Sequence, residues 1–572
     1  MIIHNKEIAE KLEEMANLLG IKGANEYRVR SYRNAALTVR RQSRRIQNML
    51  EEDKDLTQLS NIGESIAEKI KEIVNTGESS FLSSLKEKIP PDLLDILEIK
   101  GMGPKRVQKL YDELDIKSKK ELEKALNKGK VKNINGFGKK TTKNLKTNLK
   151  KEESNNKRTI LKQARNLILP FCEYLERLNE VQKLHLAGSY RRKKETVGDI
   201  DILILSSKRQ IVIDHFTDYE EVEKIISKGE TRSTVKLKTG ILVDLRVIKE
   251  KSEGAALLYF TGSKSHNVTL RKIAQDDGYK INEYGIFQNN KRINKSNESE
   301  IYQMFGFEYI PPELRENRGE FEASKNNNLP KLIQLKDIKG DVQMHTTQSD
   351  AENTITEMAK KCRKLGYEYI AVTDHSGYIG VTQGLKDDEI PEQIERITKI
   401  NENFENIEIL SGMEVDVLED GKLDLSDEVL KKLDVVLFSI HSHFNLSSKK
   451  QTDRILKAMD NPYVNIFAHP TGRKIGKRDP YSYDIEKILK RAKANNIIME
   501  INASPARLDL NDIHSKRAKE IGVKMVISTD AHSINELNYM KYGVWQARRG
   551  WLEKEDVINT KSVEKFKKAL KK

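Results

Sequence analysis

Two acids one residue apart, Asp199 and Asp201, constrain this chain more than any other feature. They head an apolar run, Asp199-Ile200-Asp201-Ile202-Leu203-Ile204-Leu205, with Gly188-Ser189-Tyr190-Arg191-Arg192 upstream. Side chains two apart on a strand point to one face. The run therefore predicts a strand with both carboxylates on one side and Ile200 and Ile202 turned into a core. A second strand-like run, Ile241-Leu242-Val243-Asp244-Leu245-Arg246-Val247, brings a third acid. Three carboxylates can hold a pair of hard divalent cations, which clamp the attacking and leaving oxygens of an in-line phosphoryl transfer.

An isolated Asp-x-Asp reads better as a solvated edge strand. The upstream Gly-Ser, the apolar strand and the third acid together argue for a nucleotidyltransferase palm. At 572 residues the chain should hold several domains. Lys and Arg number 102 against 87 Asp and Glu, a net charge of +15, which calls for a polyanionic partner. Nucleic acid fits better than a membrane: no apolar run approaches the roughly 20 residues of a spanning helix. The start, Met1-Ile2-Ile3-His4-Asn5, lacks a signal-peptide pattern. Cys172 and Cys362 fall in different regions and imply no disulfide framework, which fits a reducing cytoplasm.

Residues 1 to about 150 read as helical and Lys-rich, with a loose repeat. Its copies are Leu59-Ser60-Asn61-Ile62-Gly63, Ile99-Lys100-Gly101-Met102-Gly103 and Ile134-Asn135-Gly136-Phe137-Gly138. Each sets a tight turn before a helix start, which aims backbone N–H groups outward and suits a phosphate. These are expected to be helix-hairpin-helix elements gripping a DNA backbone without reading sequence, and the first, with one glycine, is the weakest. The lysine clusters at Lys117, Lys119 and Lys120 and at Lys150 and Lys151 read as solvated helix faces.

A polar stretch, Ala323 to Pro330, reads as a linker. After it, short apolar runs repeatedly end in His, Asp or Glu: Ile370 to His375, Ile409 to Glu414, Val435 to His441, Ile466 to His469 and Val526 to His532. Buried strands alternating with helices, with ligand-type residues at the strand ends, predict a (β/α) barrel whose site lies on its C-terminal face.

On these motifs, and on Tyr542-Gly543-Val544-Trp545-Gln546-Ala547-Arg548-Arg549-Gly550-Trp551 near the end, nearly the whole chain resembles a bacterial or archaeal family X DNA polymerase with a C-terminal polymerase-and-histidinol-phosphatase (PHP) domain. The resemblance implies a multidomain fold: a helical helix-hairpin-helix region, an α+β palm and a PHP barrel of the (β/α)7 type. Its boundaries would be 1–82 for an N-terminal helical domain, 83–156 for a fingers-like domain, 157–250 for the palm, 251–318 for a thumb-like nucleotide-selection subdomain, 319–338 for a linker and 339–572 for the PHP domain. It assigns Asp199 and Asp201 to both Mg²⁺ ions and Asp244 to the catalytic ion. Gly188, Ser189, Arg192 and Gly198 match positions around the incoming triphosphate. Tyr259, Phe260, Thr261 and Gly262 match the turn that crowds the sugar, and Asn267 and Arg271 match minor-groove contacts. Lys69 aligns with the family's Schiff-base lysine, but Arg28 and Ser65 replace its phosphate-pocket lysines, so lyase activity is expected to be weak or absent.

For the barrel the resemblance proposes His345, Asp350, His375, Glu414, His441, His469, Asp530 and His532 as ligands for up to three ions of Mn²⁺, Zn²⁺ or Fe²⁺. The family's first motif reads His-x-His, whereas this chain has Gln343-Met344-His345, which puts one metal position in doubt. His443 and Arg473 are weighed as phosphate contacts. The expected function is gap filling in DNA repair, on gapped or primer–template DNA and deoxynucleoside triphosphates, by a monomer. The PHP domain would add a 3′→5′ exonuclease, with abasic-site endonuclease or 3′-phosphatase activity as further options. Two alternatives stay open: a DNA end-binding module whose barrel is structural, and a small-molecule phosphatase fused to a nucleotidyltransferase.

Overall fold

The computed structural model describes residues 3–90, 92–97, 99, 101–138, 141–142, 145–146, 158–378 and 383–570. Lys100, Lys139, Lys140, Lys150 and Lys151 lie outside that set. The chain divides into two compact units, Met1–Lys157 and Arg158–Lys572. Among the described residues no helix is long and apolar enough to cross a membrane.

The described part of the first unit has helices and no strand. Asn5–Ile21 buries Ile8, Leu12, Met15 and Leu19, one stripe at helical spacing. One continuous core runs from Ile3 to Leu145, so the regions 1–82 and 83–156 share it. The three turn motifs are built alike. Ile62, Met102 and Phe137 are buried and donate their N–H to the carbonyls of Leu59, Ile99 and Ile134. Gly63, Gly103 and Gly138 then open the next helical turn, accepting from the N–H groups of Ala67, Val107 and Thr142. Gly101 and Gly136 are left-handed at φ +96° and +98°, and in the first copy Asn61 takes that conformation at φ +65°. Asparagine tolerates it because its short side chain bonds locally. The weakest copy in the sequence thus keeps the same backbone as the others.

The second unit begins with a five-stranded sheet in the order Lys183–Leu186, Asp199–Leu205, Leu242–Ile248, Arg232–Leu237 and Val222–Lys228. Asp199–Leu205 and Leu242–Ile248 run parallel, and the other pairs are antiparallel. Ile200, Ile202 and Ile204 enter a core with helices Leu161–Glu176 and Arg209–Thr217. Leu203, on the face of the two acids, packs beneath helix Glu253–Thr261 with Ala187 and Ala256. A small antiparallel sheet, Lys280–Asn282, Gly285–Gln288 and Lys291–Ile293, follows.

The segment read as a linker opens inside a short helix, Glu320–Lys325, whose Glu320 is buried against His266 at 2.8 Å. Ser324 is buried as well and donates to Glu308 O at 3.0 Å, while Lys325 to Asn328 are exposed. Seven parallel strands come next, Gly340–Asp341, Tyr369–Val372, Glu408–Asp416, Val435–Ser439, Ile466–Phe467, Ile498–Asn502 and Met525–Ser528, in sequential order. Beyond their ends, His345 N donates to Ala531 O at 2.9 Å and Asp530 N to Gln343 O at 3.0 Å. These bonds bring the first strand back to the last, giving a nearly closed barrel. The barrel also packs on the palm: Leu508 and Tyr542 belong to the palm's core.

Candidate active sites

In the palm, register decides the geometry. Asp201 pairs directly with Asp244 across the two parallel strands, and Asp199 sits two residues back on the same face. Gly188, at φ +60°, starts the turn that passes over them. A Cβ there would lie 2.1 Å from Oδ2 of Asp201, so no other residue allows that approach. The turn, Asp199 and Asp201 line one cleft of about 750 Å³ with Ser189, Arg192, Gly198, Tyr259, Phe260, Gly262, Asn267 and Arg271. Asn267 is fixed by donating to Tyr259 O at 2.6 Å, and Arg271 donates to Asn267 O at 3.2 Å.

Two predicted residues stand apart from that lining. Thr261 is fully buried, its hydroxyl bonded by Arg191 at 2.6 Å, so its side chain supports the turn from beneath. Asp244 accepts from the Thr234 hydroxyl and lies 3.4 Å from Arg232. Arg158, Lys194, Glu195, Thr196 and Lys264 line the cleft as well. Lys194, Glu195 and Thr196 follow Arg192 in a stretch that carries no motif of its own, and Arg158 and Lys264 lie outside any motif that the sequence offers.

Burial, reinforced by the charges of Asp199 and Asp244, pushes the Asp201 carboxyl up to about 7. The three acids therefore repel one another until a counter-charge enters. Hard oxygen donors on one face fit Mg²⁺.

The barrel cluster is the reverse. Glu414, fully buried, sits 2.8 Å from Nε2 of His469, 3.3 Å from His345, 3.4 Å from His441 and 3.8 Å from His375. His345 lies 3.1 Å from Asp530, while Asp350 is 3.8 Å from His375 and 3.5 Å from His532. All eight proposed ligands thus fall in one chain of contacts. Three groups have ligand atoms within 4.8 Å of one another: His345, Asp350, His375 and His532; His375, Glu414 and His441; and His345, Glu414 and Asp530. Burial pushes the His375 and His469 imidazoles down, toward the neutral form that binds metal. Mixed imidazole and carboxylate donors fit Mn²⁺, Zn²⁺ or Fe²⁺.

Gln343 lies inside this cluster. Its Nε2 donates to Glu414 at 3.0 Å, and its buried Oε1 has no hydrogen-bond partner. Sequence reasoning missed the groups that hold the ligands. Asp416 accepts from His441 Nδ1 at 3.0 Å, Asn502 donates to Asp530 at 3.0 Å, and Glu500 accepts the His469 N–H. Arg507 lies 3.3 Å from Asp530. The signal was present for two of them: Ile497-Ile498-Met499-Glu500-Ile501-Asn502 is one more apolar run ending in polar ligand-type residues. Arg473, weighed as a phosphate contact, instead binds Glu195 of the palm at 2.7 Å. His443 is exposed, 3.8 Å from Glu419.

In the first unit, Lys69 Nζ donates to Ser65 O at 3.0 Å and Ser65 Oγ at 3.1 Å, and lies over the Phe81 ring with Arg28.

A nucleotidyl-transfer palm fused to a metal-binding barrel is the class that these two sites define. Family models match in the same order: a helix-hairpin-helix domain over residues 3–79, a SAM-like helix-hairpin-helix tandem over 93–151, the DNA polymerase beta palm over 161–250, the DNA polymerase beta thumb over 256–316 and the PHP domain over 341–504. The DNA polymerase/3′-5′ exonuclease PolX of Bacillus subtilis (strain 168) is 38% identical over 573 residues, covering 100% of both chains. The barrel region is also 34% identical to a probable phosphatase of Thermoanaerobacter sp. (strain X514), over 40% of this chain and 94% of that one. A probable phosphatase of Acetivibrio thermocellus is 28% identical over a similar span. The chain belongs to the family X DNA polymerases that carry a PHP domain.

Proposed function

We propose that this protein is a DNA-directed DNA polymerase that fills short gaps during repair, and that its barrel removes nucleotides from 3′ ends. The pairing of Asp244 with Asp201, which lines the cleft together with Arg192, carries the first half. Asp199 and Asp201 would hold two Mg²⁺ and Asp244 one of them. Such ions neutralise charge on the oxygens of an in-line transfer. Asp244 assists removal of the primer 3′-hydroxyl proton. Ser189 and Arg192 hold the triphosphate, which leaves as pyrophosphate, beside the backbone of Gly188 and Gly198. Tyr259, Phe260 and Gly262 crowd the sugar, with Thr261 beneath them, and Asn267 and Arg271 face the minor groove.

In the barrel His345, Asp350, His375, Glu414, His441, His469, Asp530 and His532 would hold up to three divalent ions. These supply Lewis acidity and lower the pKa of a coordinated water. Asp416 orients the His441 ring through its Nδ1, a support on which ligand strength depends. The likeness to probable phosphatases over most of their length adds 3′-phosphate removal as a second substrate class. Backbone N–H groups at Gly63, Gly101, Gly103, Gly136 and Gly138 grip DNA phosphates. A Cβ at any of these five glycines would meet no atom within 4 Å, which leaves room for a phosphate. We expect Lys69, whose ammonium is engaged by Ser65, to give little lyase activity. Borohydride trapping of an adduct lost in Lys69→Ala would overturn this. The two buried free thiols suit a reducing cytoplasm, and we expect a monomer.

The test is a duplex with a one-nucleotide gap, a labelled primer and a downstream 5′-phosphate, given Mn²⁺ with or without deoxynucleotides. Extension lost in Asp199→Ala and shortening lost in His441→Ala would support two separate sites. Extension that survived Asp199→Ala would end the polymerase reading. Shortening absent from the unaltered protein would favour a structural barrel.

A further inference from the structure

The tryptophan- and arginine-bearing stretch near the C-terminus has no part in either reaction as derived above. It forms helix Met540–Arg549, which lies against the ends of the barrel strands. A Cβ on Gly543 would come within 2.5 Å of Ile527 and 2.7 Å of Ala503, so the helix sits at backbone distance from the barrel. Its last residue, Arg549, is 1% exposed, yet it reaches out of the barrel. Nη1 donates to the backbone carbonyl of Arg192 at 2.8 Å and to Oε1 of Glu316 at 3.2 Å, and Nη2 donates to Asp512 at 2.5 Å. The same Oε1 of Glu316 accepts from Nε of Arg192 at 3.1 Å. A second barrel arginine, Arg473, holds Glu195 three residues further along the same loop.

We infer that Arg549 is a positioning residue for nucleotide binding: the barrel, through Arg549, sets the guanidinium that meets the triphosphate. The inference rests on the polymerase reading of Arg192. Its physical basis has two parts. A long flexible side chain that is aimed in advance loses less freedom when the nucleotide binds. The backbone of Arg192 is held by Arg549 and its side chain by Glu316, so both ends are fixed. The second part concerns charge. Glu316 alone would neutralise Arg192 and weaken it as a phosphate ligand. Arg549 shares that carboxylate, and Arg318 joins at Asp512 with a 2.7 Å bond. Lys194, Arg192, Arg318 and Arg549 all act on Glu316. Four cations against two anions leave the patch net positive where the phosphates arrive.

The test measures single-nucleotide gap filling against deoxynucleotide concentration, well below each variant's melting temperature. For Arg549→Met we expect the nucleotide KM to rise about 10- to 100-fold, the scale of misaligning a substrate contact, with kcat moving less. Arg549→Lys should recover part of the loss by restoring the charge. A salt bridge that only stabilises the fold would lower the melting temperature and leave KM alone, and that result overturns the inference. Should Arg549→Met fail to fold, Asp512→Asn decides: it loosens the far anchor of Arg549 without touching the cleft and should raise KM in the same direction. An unaltered protein that cannot extend a primer overturns the polymerase reading itself. Extension with an unchanged KM in both variants overturns only the role of Arg549.

Discussion

The palm and the barrel gather similar acids and hold them in opposite ways. In the palm, Asp199 and Asp201 form no ion pair among the described residues, and Asp201 is pushed up to about 7 by burial and its acidic neighbours. In the barrel, Glu414 alone meets four imidazoles and an amide before any ion arrives. The acids of the palm repel one another, whereas the acid hub of the barrel is already surrounded by imidazoles. On that contrast we expect ions in the palm to be the more exchangeable and ions in the barrel to contribute more to the fold.

The sharpest way to break this contrast is to remove one acid from each site. Asp201→Asn should lower gap-filling extension by about 10³-fold or more, since ion-borne charge stabilisation is worth several kcal/mol. Its melting temperature without metal should hold or rise, because the repulsion goes with the charge. Glu414→Gln should lose exonuclease activity and also about 3–5 kcal/mol of stability, the scale of breaking a buried charged network. Denaturant titration of both variants checks the signs. A destabilised Asp201→Asn beside an unaffected Glu414→Gln would invert the comparison.

pH sharpens it further. The folded Asp201 binds its proton more tightly than the unfolded chain does, so its contribution to stability is complete below about pH 4. That contribution is lost as pH rises through about 7. The stability difference between the unaltered protein and Asp201→Asn, measured without divalent ions from pH 5 to 8, should therefore shrink and then reverse in favour of the variant. Saturating Mg²⁺ should flatten the trend, and a flat difference without metal would remove the repulsion argument. Chelation should act on the other region. Stripping ions held at a hundredfold excess over Kd costs about 2.7 kcal/mol, and calorimetry should assign that loss to the barrel transition.

Both sites were legible in part, for different reasons. Asp199 and Asp201 lie two apart on one strand, and several barrel residues close apolar runs, so periodicity marks both regions. The full ligand set, with His345 and Asp350, is implied by the family resemblance. Asn61 escaped notice because a turn motif is read by its glycines, while the backbone asks only for a left-handed residue. Asp416 stayed hidden because it follows Glu414 on a strand buried along both faces, where alternation carries no signal. Arg549, Glu316 and Asp512 are far apart in sequence and meet only where the barrel docks on the palm. No spacing rule could have joined them.

Gln343 gives the smallest expected effect and the finest comparison. The sequence suggests a lost ligand, because glutamine replaces an imidazole at a first-motif position. The structure gives the amide two distinct ends: Nε2 donates to Glu414, and Oε1 is buried without a hydrogen-bond partner beside the candidate metal ligands. A buried carbonyl oxygen without a partner costs stability, and an ion within reach would relieve it. If Oε1 already serves as a weak ligand, Gln343→His should tighten one ion by about 10-fold, within the range for changes around a metal site. The number of ions bound would stay the same. If the position is lost, the variant should bind one ion more, and the rate of 3′-end shortening should rise with it. Elemental analysis after dialysis against limiting Mn²⁺ separates the two. A fall in bound metal would mean instead that the Nε2 contact to Glu414 matters more than any ligand at this position, and that the amide is part of what keeps the barrel's acid hub in place.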